Sequence, residues 1–274
     1  MTAAYISGGT RLRYVQLGAG TPVVFLHPTP LNHEYWLPML AELPGVLAIV
    51  PDLRGHGVSE LGDLPVGGFT RVPNAPVLTM AQLAQDVLVL LDSLKLETAV
   101  FVGCSIGGYV LLELWRQAPE RMRGLAFVCS KPQPDAEAGL AKRAENIARV
   151  QREGAHGFLD TMAGTLPGAT TRERNPQLIA DVRSQMTLTA EAVVAVQSGL
   201  AVRPDSVPTV ATIRVPVLSI AGAEDGSVSP AEMEAFAAAP GGCTSHVLPR
   251  AGHLAAFEQP GAVGEWMRDW LQVL

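Results

Sequence analysis

The stretch Gly103-Cys104-Ser105-Ile106-Gly107 decides the fold of this chain. The run before it, Ala99-Val100-Phe101-Val102, is short and wholly apolar, which predicts a buried β-strand. After it, apolar residues recur at helical spacing, and Pro119 marks the end of that helix. A G-x-S-x-G sequence between a strand and a helix is typical of a sharp turn that raises its serine hydroxyl above the edge of a sheet. A glycine-rich loop is the alternative interpretation.

The residues of this turn suit a nucleophile. Side chains at Gly103 or Gly107 would collide with neighbouring backbone in so tight a turn. The free N–H groups at the start of the following helix favour developing negative charge. Ser105 is therefore a candidate nucleophile, and it needs a base and a carboxylate that orients the base.

Strand patterns recur on both sides of this turn. Residues 4–7 and 11–17 alternate apolar and polar side chains, which predicts an antiparallel hairpin. Three more runs are apolar throughout, as in strands covered on both faces: 23–26, 46–50 and 125–128. The run 215–220 has the same character apart from Ser219. Because they alternate with helical patterns, they predict an α/β fold with a parallel sheet between helices. Ligands of such sheets lie beyond the carboxyl ends of the strands, where Ser105 falls.

The helices that connect these strands have clear signals. One is predicted over 34–43, and another begins at Thr79, with Gln82 three residues on as in a capping box. Near the C-terminal end, a helix over 230–238 precedes a short strand over 244–248.

Between 131 and 213 no buried strand is apparent. Helices are predicted over 135–153, from Asn175 with Pro176 in its first turn, and from Thr189. We therefore predict a core formed by 1–130 and 214–274, with 131–213 as a helical lid inserted between strands 6 and 7. A purely structural helical subdomain is the alternative.

Two further residues complete a catalytic pattern. Asp225 lies just past the strand over 215–220, and His253 follows the last short strand. The order Ser105, Asp225, His253 is the one expected when a serine, an acid and a base converge at the carboxyl edge of a parallel sheet. Glu224 competes with Asp225 as the acid. Neither a lone aspartate nor a lone histidine would be informative, but their joint occurrence in this order predicts a Ser-His-Asp triad.

At this point the chain resembles the α/β-hydrolase superfamily over nearly its whole length. The matching segments are His27-Pro28-Thr29-Pro30-Leu31, Asp52-Leu53-Arg54-Gly55-His56-Gly57-Val58-Ser59, the turn at Ser105, the segment with Gly222 and Asp225, and Ala251-Gly252-His253. Within the superfamily it most resembles the branch of 3-oxoadipate enol-lactonases, arylesterases and cofactor-free perhydrolases. The resemblance implies a mostly parallel eight-stranded sheet, and it favours Asp225 over Glu224.

The resemblance also implies an oxyanion hole made by the backbone N–H groups of Ile106 and Thr29. One position departs from the family, which usually has glycine where this chain has Pro28. Proline has no N–H to donate, but the expected donor is the next residue, so the hole is retained.

The predicted function is hydrolysis of a carboxylic ester or lactone through an acyl-enzyme. Three alternatives use the same residues: acyl transfer to peroxide, hydrolysis of a C–C bond, and a receptor that keeps the triad but scarcely turns over. The partner is then a small-molecule ester or lactone. Oligomeric state is left open.

A further prediction concerns the substrate pocket. The candidate lining is mainly apolar: His33, Trp36, Phe158, Met162, Leu166 and Met186. Packing between lid and sheet is the alternative for these residues. His27 and His56 are expected to hold loops by hydrogen bonding, and Cys104 to act as a small filler.

Composition excludes several other classes. A net charge of −6 without a basic cluster argues against nucleic-acid binding, and no apolar run is long enough to span a membrane. The His33-Glu34 pair lacks the second histidine of H-E-x-x-H, so no metal is predicted, and no cofactor motif is present. Three cysteines without a C-x-x-C pair, and no visible signal peptide, predict a cytoplasmic protein.

Overall fold

A computed structural model describes residues 1–274 and contains one sheet of eight strands. The strands are β1 (Thr2–Ser7), β2 (Thr10–Gly18), β3 (Thr21–Leu26), β4 (Val46–Pro51), β5 (Ala99–Cys104), β6 (Met122–Val128), β7 (Val217–Gly222) and β8 (Cys243–Leu248). Their spatial order is β1-β2-β4-β3-β5-β6-β7-β8. The β1–β2 and β2–β4 pairs are antiparallel, and every other pair is parallel. The predicted hairpin and mostly parallel eight-stranded sheet are thus confirmed.

Helices cover both faces of this sheet. They are α1 (Leu37–Leu40), α2 (Met80–Ser93), α3 (Ile106–Gln117), α4 (Glu137–Glu153), α5 (His156–Thr165), α6 (Ala169–Arg174), α7 (Pro176–Ser184), α8 (Ala190–Ala201), α9 (Val207–Val210), α10 (Pro230–Met233), α11 (Ala255–Glu258) and α12 (Pro260–Leu271). None of them has the length and apolar character needed to cross a membrane. All six residues of β5 are buried at the centre of the sheet, which fixes the position of the turn that follows.

Two helices differ from their predicted form. The helix expected over 34–43 is a 3-10 turn, His33–Trp36, followed by the four-residue α1. Pro38 explains the break, because it has no N–H to donate to a carbonyl four residues earlier. At the start of α2, Thr79 accepts a hydrogen bond from the Gln82 amide, as predicted. The side chain of Gln82 does not return the bond, since it donates to Asp86 instead.

Six helices, α4 to α9, lie between β6 and β7. Three of them begin where the sequence predicts: α4, α7 with Asn175 before it, and α8 with Thr189 as its N-cap. The short helices α5, α6 and α9 were not predicted. This segment therefore has the helical character expected of an insertion, and its action as a lid stays a prediction.

A buried ion pair joins the hairpin to the helical layer. Arg54, in the loop after β4, donates two hydrogen bonds to the carboxylate of Asp86 on α2, at 2.8 and 2.6 Å. Arg54 also donates to Thr10 (2.6 Å), and Ser7 donates to Asp86 (2.6 Å). Both charged side chains are about 3% exposed. Because each charge has several hydrogen-bond partners, the pair is tolerated in the core.

Candidate active site

Ser105 occupies a strained turn between β5 and α3. Its backbone has φ 53° and ψ −115°, a region that side chains other than glycine rarely adopt. Two hydrogen bonds join the turn to the end of β6 and the residues just after it. The Ser105 amide donates to the Val128 carbonyl (3.0 Å), and the Ser130 hydroxyl donates to the Ser105 carbonyl (2.9 Å). Strain of this kind persists only where the surrounding structure enforces it, and it is common at functional sites.

The two glycines of the turn are required by close backbone contacts. A Cβ atom on Gly103 would lie 2.4 Å from the carbonyl carbon of Gly107. A Cβ atom on Gly107 would lie 2.3 Å from the carbonyl oxygen of Leu26, on the neighbouring strand β3. The collisions expected from the sequence are therefore with main-chain atoms, which cannot rotate away.

His253 and Asp225 meet beside this turn. The Nδ1 atom of His253 lies 2.7 Å from Oδ2 of Asp225, and both side chains are almost wholly buried. The other carboxylate oxygen accepts the amides of Ser227 (2.7 Å) and Val228 (3.0 Å). A carboxylate only accepts, so the histidine proton is on Nδ1 and its Nε2 is free to accept another. His253 and Ser105 line one cavity of about 130 Å³.

The neighbouring carboxylate, Glu224, does not contact the imidazole. Its side chain accepts hydrogen bonds from the amide and hydroxyl of Thr170, at the start of α6. These bonds lower the pKa of Glu224. Of the two acids considered from the sequence, Asp225 is the one that contacts His253.

Two backbone amides at the site have no acceptor within the protein. These are the amides of Thr29 and Ile106, the two donors expected for an oxyanion hole. Thr29 lines the cavity with Ser105, and Ile106 begins α3 directly after it. The carbonyl of Pro28 accepts hydrogen bonds from the Leu31 amide and His27 Nδ1, both at 3.0 Å. The backbone carbonyl of residue 28 thus anchors the loop while the next amide stays free.

His27 and His56 brace the loops around Thr29. The Leu53 amide donates to Nε2 of His27 (2.9 Å), and the Thr29 hydroxyl lies 2.9 Å from Nε2 of His56. Nδ1 of His56 lies 3.0 Å from the Arg54 carbonyl, so that nitrogen carries the proton and Nε2 accepts. The expectation that these histidines hold loops is confirmed.

Burial changes how both histidines titrate. It lowers the pKa of His27 to about 3, with the charge of His56 adding to the effect, and it lowers the pKa of His56 to about 4. We therefore expect stability to fall as pH drops from about 6.5, the pKa of unfolded histidine, toward pH 4, because only the unfolded state takes up protons there. The loss is up to about 1.4 kcal/mol per pH unit for each group. The free energy of unfolding, determined by urea titration at pH 7, 6, 5 and 4.5, measures this loss.

Two other histidines bear on this pH dependence. Burial lowers the pKa of His246 as well, so His246 adds to the loss of stability below pH 6.5. Burial lowers the pKa of His33, but its bond to Asp52 (2.7 Å) more than offsets this and raises it. The contribution of His33 is thus fully present below pH 6.5 and is lost only as pH rises above that value. His56→Gln should flatten the pH dependence relative to the natural chain, whereas His156→Gln, at an exposed position, should not. An equal slope in all three proteins would contradict the assignment.

The six residues expected to line a substrate pocket lie in several different parts of the structure. His33 points to Asp52, and Trp36 is wholly buried against Phe25 and Tyr35 in the core. Phe158 lines a small adjoining cavity together with Thr29. Met162, Leu166 and Met186 pack in the apolar core or against it. None of the six lines the cavity that contains Ser105, so their part in binding a substrate stays a prediction.

The walls of that cavity are instead polar and charged. Besides Thr29, Ser105 and His253, they are formed by Tyr109, Lys131, Asp135, Arg143, Gln197, Leu200, Ser227 and Val228. Burial alone would raise the pKa of Asp135, but hydrogen bonds from Arg203 and Arg143 bring it to about 2. Sequence reasoning missed these residues. Lys131 had a signal, since it lies three residues past the carboxyl end of β6, whereas Arg143 is one of many charges on α4.

Cys104, beside the nucleophile candidate, is a buried filler as expected. Its Sγ accepts from the Tyr35 hydroxyl (3.2 Å) and lies 3.7 Å from the His253 carbonyl. Burial raises the pKa of this thiol far above its ordinary value. It is therefore held as the unreactive thiol.

Glu258 ties the inserted helices to the loop that carries His253. Its carboxylate accepts from the amides of Gly168, Gly252 and Leu254, at 2.9 to 3.1 Å. The His253 amide donates to the Leu166 carbonyl (2.9 Å), which adds a direct bond between the same two segments. The end of α5 and the start of α6 are thereby fixed against the histidine loop.

Comparisons with known proteins show which family and which structures this chain is similar to. Residues 23–266 match the family model described as the alpha/beta hydrolase family. The structure superimposes on a thermophilic esterase from Thermogutta terrifontis, solved with malate bound, with TM-score 0.88 and 31% identity over 100% of this chain and 98% of that one. It superimposes on the enol-lactonase from Burkholderia xenovorans LB400 with TM-score 0.86 and 26% identity, over 98% and 100%. The 3-oxoadipate enol-lactonase 1 of Acinetobacter baylyi is 27% identical over 87% of this chain and 84% of its own length.

Proposed function

This chain belongs to the alpha/beta hydrolase family, and we propose that it is a serine hydrolase that cleaves a carboxylic ester or lactone through an acyl-enzyme. The observation that carries the proposal is the hydrogen bond between His253 and Asp225 at the wall of the cavity that also contains Ser105. The similarity to an esterase and to enol-lactonases supports a hydrolase of the ester and lactone type.

In the proposed mechanism, the hydroxyl of Ser105 attacks the substrate carbonyl carbon. Nε2 of His253 takes the hydroxyl proton and then gives it to the leaving alkoxide. Asp225 holds the imidazole in the tautomer with its proton on Nδ1 and stabilises the imidazolium that forms. In a lactone the leaving oxygen stays joined to the acyl group through the rest of the opened ring, so hydrolysis of the acyl-enzyme releases a single hydroxy acid.

The amides of Thr29 and Ile106 are the proposed oxyanion donors. Neither has an acceptor within the protein, so both are available to the carbonyl oxygen as it becomes negative. Loss of one such donor costs about 100-fold or more in rate. Water, activated by His253, then hydrolyses the acyl-enzyme and restores the serine.

A covalent probe tests this assignment. We expect a 4-nitrophenyl alkylphosphonate to release one equivalent of 4-nitrophenol per chain and to modify Ser105, as mapped by peptide mass spectrometry. Attack by an activated serine is required, so the denatured chain and Ser105→Ala should remain unlabelled. Ser227→Ala removes the other serine hydroxyl of the cavity and should still be labelled. Labelling of Ser105→Ala at the natural rate would contradict the proposal.

Turnover assays separate the remaining alternatives. Esters of rising acyl length are assayed beside enol-lactones, with and without added peroxide. Hydrolysis that depends on Ser105 supports the proposal. Labelling of Ser105 without measurable turnover of any ester or lactone would identify a receptor instead of an enzyme.

A further inference from the structure

The two proposed oxyanion donors are held in place in different ways. The Ile106 amide begins α3, so the turn at Ser105 and the helix fix its direction. The Thr29 amide lies in the loop after β3, between Pro28 and Pro30. Neither proline has an N–H, so the only N–H of this segment is the one that must stay free for a substrate. The segment therefore cannot be anchored by its amides.

The backbone of Thr29 makes no hydrogen bond within the protein. Its amide has no acceptor, and its carbonyl accepts from no donor. Main-chain bonds resume only on either side, where the Leu31 amide donates to the Pro28 carbonyl (3.0 Å). The one hydrogen bond of Thr29 is made by its side-chain hydroxyl, which lies 2.9 Å from Nε2 of His56. This contact is thus the only hydrogen bond that fixes the residue that carries the amide.

His56 is a well-fixed acceptor for that hydroxyl. Its side chain is wholly buried, and its Nδ1 donates to the Arg54 carbonyl (3.0 Å). Its ring packs against the ring of His27, with the centroids 5.1 Å apart. Burial lowers the pKa of His56 to about 4, so at neutral pH the ring is uncharged and Nε2 keeps its lone pair. The direction of this acceptor is therefore set before a substrate binds.

From this arrangement we propose that the Thr29 hydroxyl and His56 are positioning groups, whose hydrogen bond holds the Thr29 amide in the direction of the developing oxyanion. A donor stabilises an oxyanion best when it is aligned in advance, because no energy is then spent on turning it during the reaction. Both groups act through the amide and not on the reacting atoms. The inference rests on the proposed hydrolase function, because it explains how one of the two oxyanion donors of that function is oriented.

Nearly isosteric substitutions test the hydroxyl. Thr29→Val keeps the amide and the shape of the side chain but removes the hydroxyl, whereas Thr29→Ser keeps the hydroxyl. We expect Thr29→Val to lower kcat on 4-nitrophenyl acetate by about tenfold, because the amide is still present but is no longer held in line. KM should change by less than about threefold, since the donor acts on charge that develops after binding. Thr29→Ser should be about tenfold faster than Thr29→Val.

Two substitutions of the partner test the acceptor. The side-chain oxygen of glutamine reaches about as far as Nε2 of histidine, so His56→Gln keeps an acceptor for Thr29. Asparagine is one carbon shorter, so His56→Asn retains a donor to the Arg54 carbonyl but does not reach the hydroxyl. We expect His56→Asn to lower kcat by about tenfold and His56→Gln to be faster than His56→Asn. Because both changes remove the same bond, Thr29→Val combined with His56→Asn should be no slower than the slower single variant.

Thr187→Val is the matched control. The Thr187 hydroxyl donates to the carbonyl of Gly57 (3.2 Å), next to His56 in the chain, but makes no bond with Thr29. Loss of a hydroxyl at this position should leave kcat unchanged. Melting temperatures establish that each variant is folded.

The rate of labelling by the 4-nitrophenyl alkylphosphonate separates this inference from the hydrolase assignment. The phosphoryl oxygen gains negative charge as the serine attacks, so Thr29→Val and His56→Asn should be labelled about tenfold more slowly than the natural chain, even if no ester is turned over. Labelling and kcat equal to the natural values in Thr29→Val would overturn the positioning role and leave the hydrolase assignment intact. Losses that multiply in the double variant would also overturn it. A natural chain that is not labelled at Ser105 would overturn the hydrolase assignment and this inference with it.

Discussion

Asp225→Asn is expected to lower kcat by about 10⁴-fold while leaving the fold intact. Asparagine keeps an oxygen for the amides of Ser227 and Val228, so the loop after β7 retains its anchors. Its amide nitrogen, however, donates where Oδ2 of Asp225 accepted from His253. The imidazole must then carry its proton on Nε2, the atom that has to accept the proton of Ser105. Steady-state kinetics on an ester that the natural chain hydrolyses measures the loss.

Glu224→Gln is the matched control for this prediction. The two acids are adjacent, and each forms hydrogen bonds in a loop beside the cavity, but Glu224 is bound to Thr170 on the inserted helices. We expect kcat within about threefold of the natural value, since removal of a peripheral charge leaves the imidazole unchanged. A loss in Glu224→Gln equal to that in Asp225→Asn would contradict the assignment of the acid. Equal melting temperatures would exclude unfolding as the cause of either result.

Asp86→Asn is expected to destabilise the chain by about 3–5 kcal/mol. The substitution leaves the buried guanidinium of Arg54 without its counter-charge and replaces one accepting oxygen by an amide that donates. A folded domain has only about 5–15 kcal/mol of stability in total, so the loss is a large share of it. The free energy of unfolding from urea titration at pH 7 measures the change.

Asp92→Asn provides the comparison on the same helix. Asp92 pairs with Arg121 at the surface, with 67% of its side chain exposed. Exposed ion pairs contribute about 0–1 kcal/mol, because water already solvates both charges. If Asp86→Asn cost no more than Asp92→Asn, the buried pair would not be the link between hairpin and helical layer that we describe.

The sheet was predictable because its signals are local. Wholly apolar runs such as Val23-Val24-Phe25-Leu26 mark strands covered on both faces, and alternation over 11–17 marks the hairpin. Breaks within helices, and some of the helices themselves, were harder to predict. The break at Pro38 depends on one missing N–H inside a helical pattern, and α12 was overlooked at the end of the chain. The short inserted helices carry too few residues for a periodicity to stand out.

The candidate site likewise has one part that could be predicted from the sequence and one part that could not. Ser105, Asp225 and His253 each follow a strand, so the topology of a parallel sheet places them at one edge. The cavity walls come from helices whose position depends on contacts distant in sequence. Arg143 and Gln197, on α4 and α8, meet only after the insertion has folded over the sheet. Trp36 was assigned to the pocket although its apolar bulk belongs in the core.

The bonds of Glu258 determine which way the helical insertion is able to move. Because this carboxylate fastens Gly168 to Gly252 and Leu254, displacement of that corner would also pull His253 away from Asp225. We therefore expect the corner near Glu258 to stay fixed while a substrate enters, so that the imidazole keeps its bond to Asp225.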